Sequence, residues 1–145
     1  MRLLPCDGSA GATSQLSHHR RASMAVDGDE NTYWESGSDA GPNTWYYDFN
    51  IPTKITKIAV DFKWHIYLKK LTIAGKSTND IKIRVISELT SDFPERWWVT
   101  VPQPPSVSEN VFYRKIQITI EPRSFAAIKE VSIYRGIKRI SPLWG

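Results

Sequence analysis

The sequence has a single cysteine and no long apolar run, and both absences exclude classes of protein. Cys6 is the one cysteine among 145 residues, so neither a disulfide framework nor a cysteine-based zinc site forms within the chain. No apolar segment approaches the roughly 20 residues that a membrane-spanning helix needs. Residues 1–5 are too short for the apolar stretch of a signal peptide. We therefore expect one soluble domain, and a secreted source stays open.

Sequence motifs of common enzymes are also missing. The chain has no Gly-x-Ser-x-Gly elbow, no phosphate-binding glycine loop and no His-Glu-x-x-His pair. Its early carboxylates fall in one segment, with no second carboxylate predicted across a cleft as glycoside hydrolysis requires. These absences favour a binding module over an enzyme.

Charge is distributed unevenly along the chain. Residues 1–50 contain three basic and seven acidic side chains, a net charge of −4, and residues 51–145 contain sixteen and eight, a net charge of +8. The later basic residues alternate with apolar ones, which is typical of a solvated strand face. Nucleic-acid binding is therefore not predicted.

Apolar residues recur at every second position from residue 45 onward. This period is typical of strands, and the intervening segments are rich in Gly, Pro, Asn and Asp, which favour turns. Short strands without helical periodicity predict an antiparallel sandwich or barrel. The alternating sets are Ile58/Val60/Phe62, Ile81/Ile83/Val85, Ile116/Ile118/Ile120 and Val131/Ile133.

An acidic segment precedes these strands. Between Ala22 and Thr53 there are six carboxylates and no Lys or Arg, so the carboxylates either face water or bind a cation. An EF-hand loop beginning at Asp27 would need Gly and Glu where Thr32 and Ser38 stand. The EF-hand is excluded, whereas a looser calcium site and a simple Asp-Gly turn both remain open.

Residues 22–49 also contain a more specific pattern. Ala-Ser-Met-Ala-Val-Asp-Gly-Asp-Glu-Asn-Thr-Tyr-Trp-Glu-Ser-Gly is followed by Thr-Trp-Tyr-Tyr-Asp-Phe, and this resembles the opening of a discoidin domain, also called the coagulation-factor type C domain. Residues 55–62 resemble the next strand of that family, and residues 127–136 resemble its closing strand. The resemblance implies an all-β, eight-stranded antiparallel jelly-roll sandwich of the galactose-binding-like type. We expect it to span residues 12–136, with tails at 1–11 and 137–145.

Two tryptophans of this pattern are expected to be structural. Trp34 and Trp45 are large enough to fill the two ends of a sandwich core. A core role is favoured for both over contact with a ligand.

The resemblance also implies a structural calcium ion, Ca2+, between the early turn and the last strand. Asp27 and Glu130 would supply carboxylates, and Thr32 its hydroxyl and carbonyl. Backbone carbonyls would come from Met24, Asp29 and Lys129. Extracellular family members often join their first and last strands by a disulfide, but Cys6 has no second cysteine near the chain end.

The recognition surface of the resembled family consists of three loops at one end of the sandwich. They correspond here to residues 16–20, 37–43 and 63–67. Their imidazole, guanidinium and aromatic groups suit hydrogen bonding to vicinal hydroxyls and stacking on a sugar ring. The predicted ligand-binding residues are His18, His19, Arg20, Ser38, Asp39, Lys63, Trp64, His65 and Tyr67.

We therefore predict a non-catalytic lectin-like module of an extracellular or cell-surface multidomain protein. It would bind a carbohydrate or cell-surface glycoprotein and mediate adhesion. One alternative is an intracellular protein-recruiting domain, cytoplasmic or nuclear, resembling the Doc-homology domain of ubiquitin ligases. The lone Cys6 and the absence of any Asn-x-Ser/Thr acceptor suit that compartment. A third alternative is membrane phospholipid binding through Lys63, Trp64, Ile66 and Lys69.

Overall fold

The computed structural model describes residues 8–37, 42–64, 68–78, 80–102, 111–122, 126–135 and 138–141. These residues form ten strands and two short 3-10 helices, His18–Arg20 and Ala22–Ala25. None of the described helices has the length and apolar character to cross a membrane. The strands are β1 (Gly8–Ala12), β2 (Trp34–Glu35), β3 (Asn43–Thr53), β4 (Lys57–Phe62), β5 (Leu68–Ser77), β6 (Arg84–Leu89), β7 (Arg96–Thr100), β8 (Tyr113–Pro122), β9 (Ala127–Arg135) and β10 (Lys138–Ser141).

The strands form two antiparallel sheets that pack as a sandwich. The first has the order β1-β3-β8-β5-β6, and the second has the order β10-β9-β4-β7 with β2 paired to β9. The predicted all-β sandwich is confirmed. The described strands number ten and not eight, and β1 and β10 include residues from both predicted tails.

The core forms where alternating apolar side chains of the two sheets meet. Ile116, Ile118 and Ile120 of β8 are fully buried, as are Ile58 and Val60 of β4. Val131 and Ile133 of β9 join the same cluster. The alternation of these strands was therefore a sound guide to which face is buried.

The residues Ile81, Ile83 and Val85 are exposed, although their alternation predicted a strand with one buried face. β6 begins at Arg84, so Ile81 and Ile83 precede the strand. Ile81 is 92% exposed and Val85 is 62% exposed. β6 is an edge strand with a register shift in its pairing to β5, and a bulge of this kind changes which face a side chain occupies.

The strand register defines two ends of the sandwich. Asn43 pairs with Ile120, and Phe62, the last residue of β4, pairs with Ile128. Leu68, the first residue of β5, pairs with Pro122. These residues mark the loop end, which the predicted binding loops flank. The far end lies where Thr53 and Ser77 both pair with Tyr113.

Candidate functional site

Two buried tryptophans hold the first loop in place. The Trp34 indole N–H donates to the Ser14 carbonyl at 3.0 Å, and the Trp45 indole N–H donates to the Ala22 carbonyl at 2.9 Å. Both tryptophans are fully buried, so their core role agrees with the sequence prediction. Trp34 pairs with Ile128 and Trp45 with Ala12 and Ile118. Both thus lie in the half nearer the loop end, and the expectation that they fill opposite ends was wrong.

Ser14 joins the first loop to the second. Its hydroxyl donates to Asn43 Oδ1 at 2.8 Å and accepts from the Gly37 N–H at 3.0 Å. The Leu16 N–H donates to the Glu35 carbonyl at 2.8 Å, which adds a backbone link. These bonds fix residues 14–16 against β2 and the start of β3, so the sandwich positions the beginning of the first loop.

Tyr33 stands at the centre of a cluster of cations and rings. The Arg20 guanidinium carbon lies 4.0 Å from the Tyr33 ring centroid, and Lys63 Nζ lies 5.1 Å from it. The Trp64 ring meets the Tyr33 ring edge to face, with 6.0 Å between centroids and 71° between planes. Both contacts of a cation with the ring are within the cation–π range. We call Arg20, Tyr33, Lys63 and Trp64 the Tyr33 cluster.

The Tyr33 cluster brings together three of the predicted ligand residues from two separate loops. Its central residue, Tyr33, was not among the predicted ligand residues. Tyr33 precedes β2, and both residues of β2 are buried, so strand alternation gives no signal for the orientation of its side chain.

The two histidines of the first loop have different surroundings. Both are exposed and form part of the helix His18–Arg20. His18 Nε2 lies 3.1 Å from Arg21 Nη1, and the same Arg21 atom donates to the His18 carbonyl at 2.9 Å. The His18 side chain thus interacts with Arg21, three residues along the chain. The His19 ring meets the His18 ring edge to face, with 6.0 Å between centroids.

Glu35 is a buried acidic group close to this cluster. The residue is only 7% exposed, and burial raises the pKa of its carboxyl above the ordinary value of 4.5. The positive charge of Arg20 opposes this rise. Arg20 therefore contacts Tyr33 and also stabilises the charged form of Glu35.

Four predicted ligand residues lie outside the described residues. These are Ser38, Asp39, His65 and Tyr67, and Cys6 lies outside them as well.

The acidic turn gathers several oxygen atoms around Thr32. The Thr32 hydroxyl lies 3.0 Å from the Asp29 carbonyl and 3.4 Å from the Met24 carbonyl, and it also donates to the Asp27 carboxylate. Asp27 accepts the Asp29 N–H at 3.0 Å, which closes an Asx turn. Gly28 has a φ of +73°, a conformation that side chains with a Cβ rarely adopt.

Glu130 links this turn to β9. Its Oε1 accepts the Gly28 N–H at 3.3 Å across a separation of 102 residues. Lys129 lies at a register shift, where Asp61 pairs with Glu130 and Phe62 pairs with Ile128. Among the described residues no group of three His, Cys, Asp or Glu side chains could hold a metal ion. The turn offers instead a mixed set of carboxylates, carbonyls and a hydroxyl, which are the donors that Ca2+ prefers.

The fold and the loop-end geometry define a β-sandwich binding module. Residues 9–131 match the family model of the F5/8 type C domain, and the chain belongs to that family. Membership of this family agrees with the prediction of a non-catalytic binding module. No curated protein matches the chain in sequence.

Solved structures of carbohydrate-binding modules share the fold. The family 32 module of Clostridium perfringens NanJ, solved with galactose, is 26% identical, with a TM-score of 0.70 over 89% of this chain and 94% of that one. Chitosan-binding module 1 from a Paenibacillus sp. IK-5 chitosanase/glucanase is 15% identical, with a TM-score of 0.76 over 92% and 98%. A third, CpGH89CBM32-5 of Clostridium perfringens with GalNAc-β-1,3-galactose, is 17% identical, with a TM-score of 0.70 over 89% and 96%.

Proposed function

We propose that this domain binds a glycan through its loop end. The observation that supports this best is the Tyr33 cluster, in which two cations and an indole surround one phenol ring. Such a surface offers an apolar ring face to a pyranose and guanidinium and ammonium donors to its hydroxyls. His19 and the backbone of the first loop add further polar groups beside the Tyr33 cluster.

The comparisons support the same ligand class. The structures of the NanJ module and of CpGH89CBM32-5 contain galactose and GalNAc-β-1,3-galactose. A shallow site of this kind is expected to bind one sugar terminus at roughly millimolar to high micromolar Kd, and to gain strength through multivalency.

A titration with galactose, GalNAc-β-1,3-galactose and chitotriose tests the proposal. We expect Trp64→Ala and Tyr33→Ala to weaken binding of the preferred sugar about tenfold, since each removes ring contact. Tyr46→Ala is the matched control, because Tyr46 also pairs with a lysine, Lys115 at 4.3 Å, but belongs to β3 and not to a loop. Equal losses in Tyr33→Ala and Tyr46→Ala, or no binding of any of the three sugars, would contradict a loop-end site.

We further propose a structural calcium ion at the acidic turn. Asp27 and Glu130 would supply carboxylates, Thr32 its hydroxyl and carbonyl, and Met24, Asp29 and Lys129 carbonyls. The ion would neutralise two carboxylates and join the turn to β9. Direct calcium titration by calorimetry tests this, and Asp27→Asn and Glu130→Gln should each weaken binding at least tenfold. Unchanged calcium affinity in both variants would place the ion elsewhere.

The biological setting that we propose is adhesion or substrate attachment by an extracellular, multidomain protein. Two of the similar structures are modules derived from a larger enzyme, a chitosanase/glucanase. Phospholipid binding is less well supported, since Leu16 is the one apolar residue that the first loop, residues 16–20, offers for insertion into a membrane. Nothing specific in the described residues favours a protein-recruiting role.

A further inference from the structure

A second aromatic surface lies on the outer face of the sheet β10-β9-β4-β7. Trp98 of β7 is 52% exposed, although it stands opposite Ala59 in the middle of β4. Its ring meets the Tyr134 ring of β9 at 5.7 Å between centroids and 34° between planes. Ala59 faces outward between the two neighbouring strands and is nevertheless fully buried. The two rings therefore form a platform across the outer face of three strands.

A rigid charged pair borders this platform. Arg96 Nε and Nη2 donate to the two Asp61 carboxylate oxygens at 2.6 and 2.9 Å. The guanidinium carbon also lies 5.5 Å from the Trp98 ring centroid. Because the bidentate bond fixes the guanidinium plane, Arg96 holds the edge of the platform in a defined position.

Arg96 and Asp61 also line a pocket of about 400 Å³. The pocket adjoins the acidic turn through Gly28 and Glu30, and its remaining charged walls come from β9 and from Glu95, which directly precedes β7. Its six charged residues are Glu30, Asp61, Glu95, Arg96, Lys129 and Glu130.

The pocket has a net negative charge. Its walls contain four carboxylates and two cations, whereas the whole chain has a formal net charge of +4. If Glu130 binds calcium, the pocket walls still contain three other carboxylates and two cations. Neither Glu30 nor Glu95 forms an ion pair within the part of the chain that the structure describes. A concave acidic wall attracts a ligand with a positive charge.

We propose that this outer face is a second glycan site, specific for a chain of unacetylated amino sugar. One pyranose ring would stack its apolar face on the exposed part of Trp98. The ammonium group of that ring or the next would enter the acidic pocket, with Glu95 and Glu30 as its partners. Asp61 and Arg96 would offer an acceptor and a donor to the ring hydroxyls. This inference goes beyond the loop-end function, since it uses none of the residues of the Tyr33 cluster.

Titration of a β-1,4-linked glucosamine trisaccharide, followed by calorimetry and by the indole N–H signals in NMR, tests the site. We expect Trp98→Ala to lower the affinity about tenfold and Trp98→Phe to retain most of it, since phenylalanine keeps a flat ring. Glu95→Gln should lower the affinity severalfold and reduce its salt dependence, whereas Glu88→Gln on β6 is the matched control. The fully N-acetylated trisaccharide, which lacks the ammonium groups, should bind at least tenfold more weakly at this site.

The loop-end and outer-face sites are separated by a Tyr33→Ala/Trp64→Ala double variant. If it still binds the trisaccharide and shifts the Trp98 indole signal, the second site acts independently of the loop end. The proposal is overturned if Trp98→Ala and Glu95→Gln bind like the wild type, if the acetylated trisaccharide binds equally well, or if the trisaccharide does not bind. If Trp98→Ala and Glu95→Gln bind like the wild type and only Tyr33→Ala loses affinity, the domain binds the trisaccharide at the loop end alone. Thermal melts of each variant establish that the fold is retained.

Discussion

Trp45 connects the core to the binding loop through a single polar atom. Its indole N–H donates to the Ala22 carbonyl, and the residue is fully buried. We expect Trp45→Phe to lower the free energy of unfolding by about 1–3 kcal/mol, because it leaves a cavity and removes that donor. Sugar affinity should fall too, since residues 14–22 lose an anchor.

Urea unfolding with paired sugar titration measures both effects of Trp45→Phe. Trp98→Phe is the control for stability, because Trp98 is half exposed and its substitution should change the free energy of unfolding by under about 1 kcal/mol. An equal decrease in the free energy of unfolding of the two variants would show that the hydrogen bond to the Ala22 carbonyl contributes no measurable stability.

Glu35 predicts a dependence of stability on pH. Because its pKa in the folded state is raised from 4.5, the folded chain holds this proton more tightly than the unfolded chain. Its contribution to stability therefore falls as pH rises from about 4.5 through the folded pKa. Glu35→Gln removes this loss, so its Tm should exceed that of the wild type at pH 7 and approach it at pH 4. A Tm of Glu35→Gln below that of the wild type at pH 7 would show that the charge of Arg20 compensates fully for the cost of burying the Glu35 carboxylate.

At the scale of single strands, the edge strand β6 gives a prediction that contrasts with its sequence pattern. Val85 is 62% exposed, and Ile73 on the adjacent strand is fully buried. We expect Val85→Lys to change the free energy of unfolding by no more than about 0.5 kcal/mol, whereas Ile73→Ala should cost about 2–5 kcal/mol. Light scattering should also show less self-association in Val85→Lys, since a lysine on an edge strand discourages pairing.

Alternation identified the central strands but not the edges. In β8 the period of two matches burial, because β3 and β5 pair with it on both sides and one of its faces is covered by the other sheet. Among the described strands, β6 has a neighbour on one side only, so its apolar residues are not forced inward. β1 shows the reverse case: its Gly-Ser-Ala-Gly-Ala sequence has no apolar alternation.

Small residues explain why β1 forms at all. A Cβ added at Gly8 would lie 2.4 Å from the Asp48 carbonyl oxygen and 2.5 Å from the buried Tyr47 ring. The strand therefore depends on close approach of its backbone to β3, and composition alone does not reveal that partner. The Gly28 N–H donates to Glu130, so the acidic turn meets β9 as the family resemblance implies, whereas the calcium ligand set stays a prediction. The Tyr33 cluster was only partly predictable, since its central ring depends on how two loops meet.

For the whole molecule, the acidic turn connects the early part of the chain to the last long strand of the core. Glu130 neighbours Val131, which is fully buried, and it pairs with Asp61 in the middle of the second sheet. We therefore expect calcium to raise the Tm of the entire domain by several degrees in one cooperative transition. Hydrogen exchange should slow in β4 and β9 as well as in residues 24–32.

A scanning calorimetry series with calcium and with chelator checks this coupling. Asp27→Asn should remove the shift without adding a second transition. If calcium slows exchange only in residues 24–32, the turn opens independently of the sandwich, and the ion stabilises a local loop alone.

The register of β1 and β10 has a practical consequence. Gly8 pairs with Phe49 and Lys138 pairs with Arg135, so both outermost described strands begin in the half of the sandwich away from the binding loops. A biotin tag or a fusion partner joined directly before Gly8 would therefore be attached in that half. Immobilised on a sensor chip or displayed in a tetrameric scaffold, each copy would hold its loops toward the analyte, and neighbouring copies could engage one glycan-coated surface together.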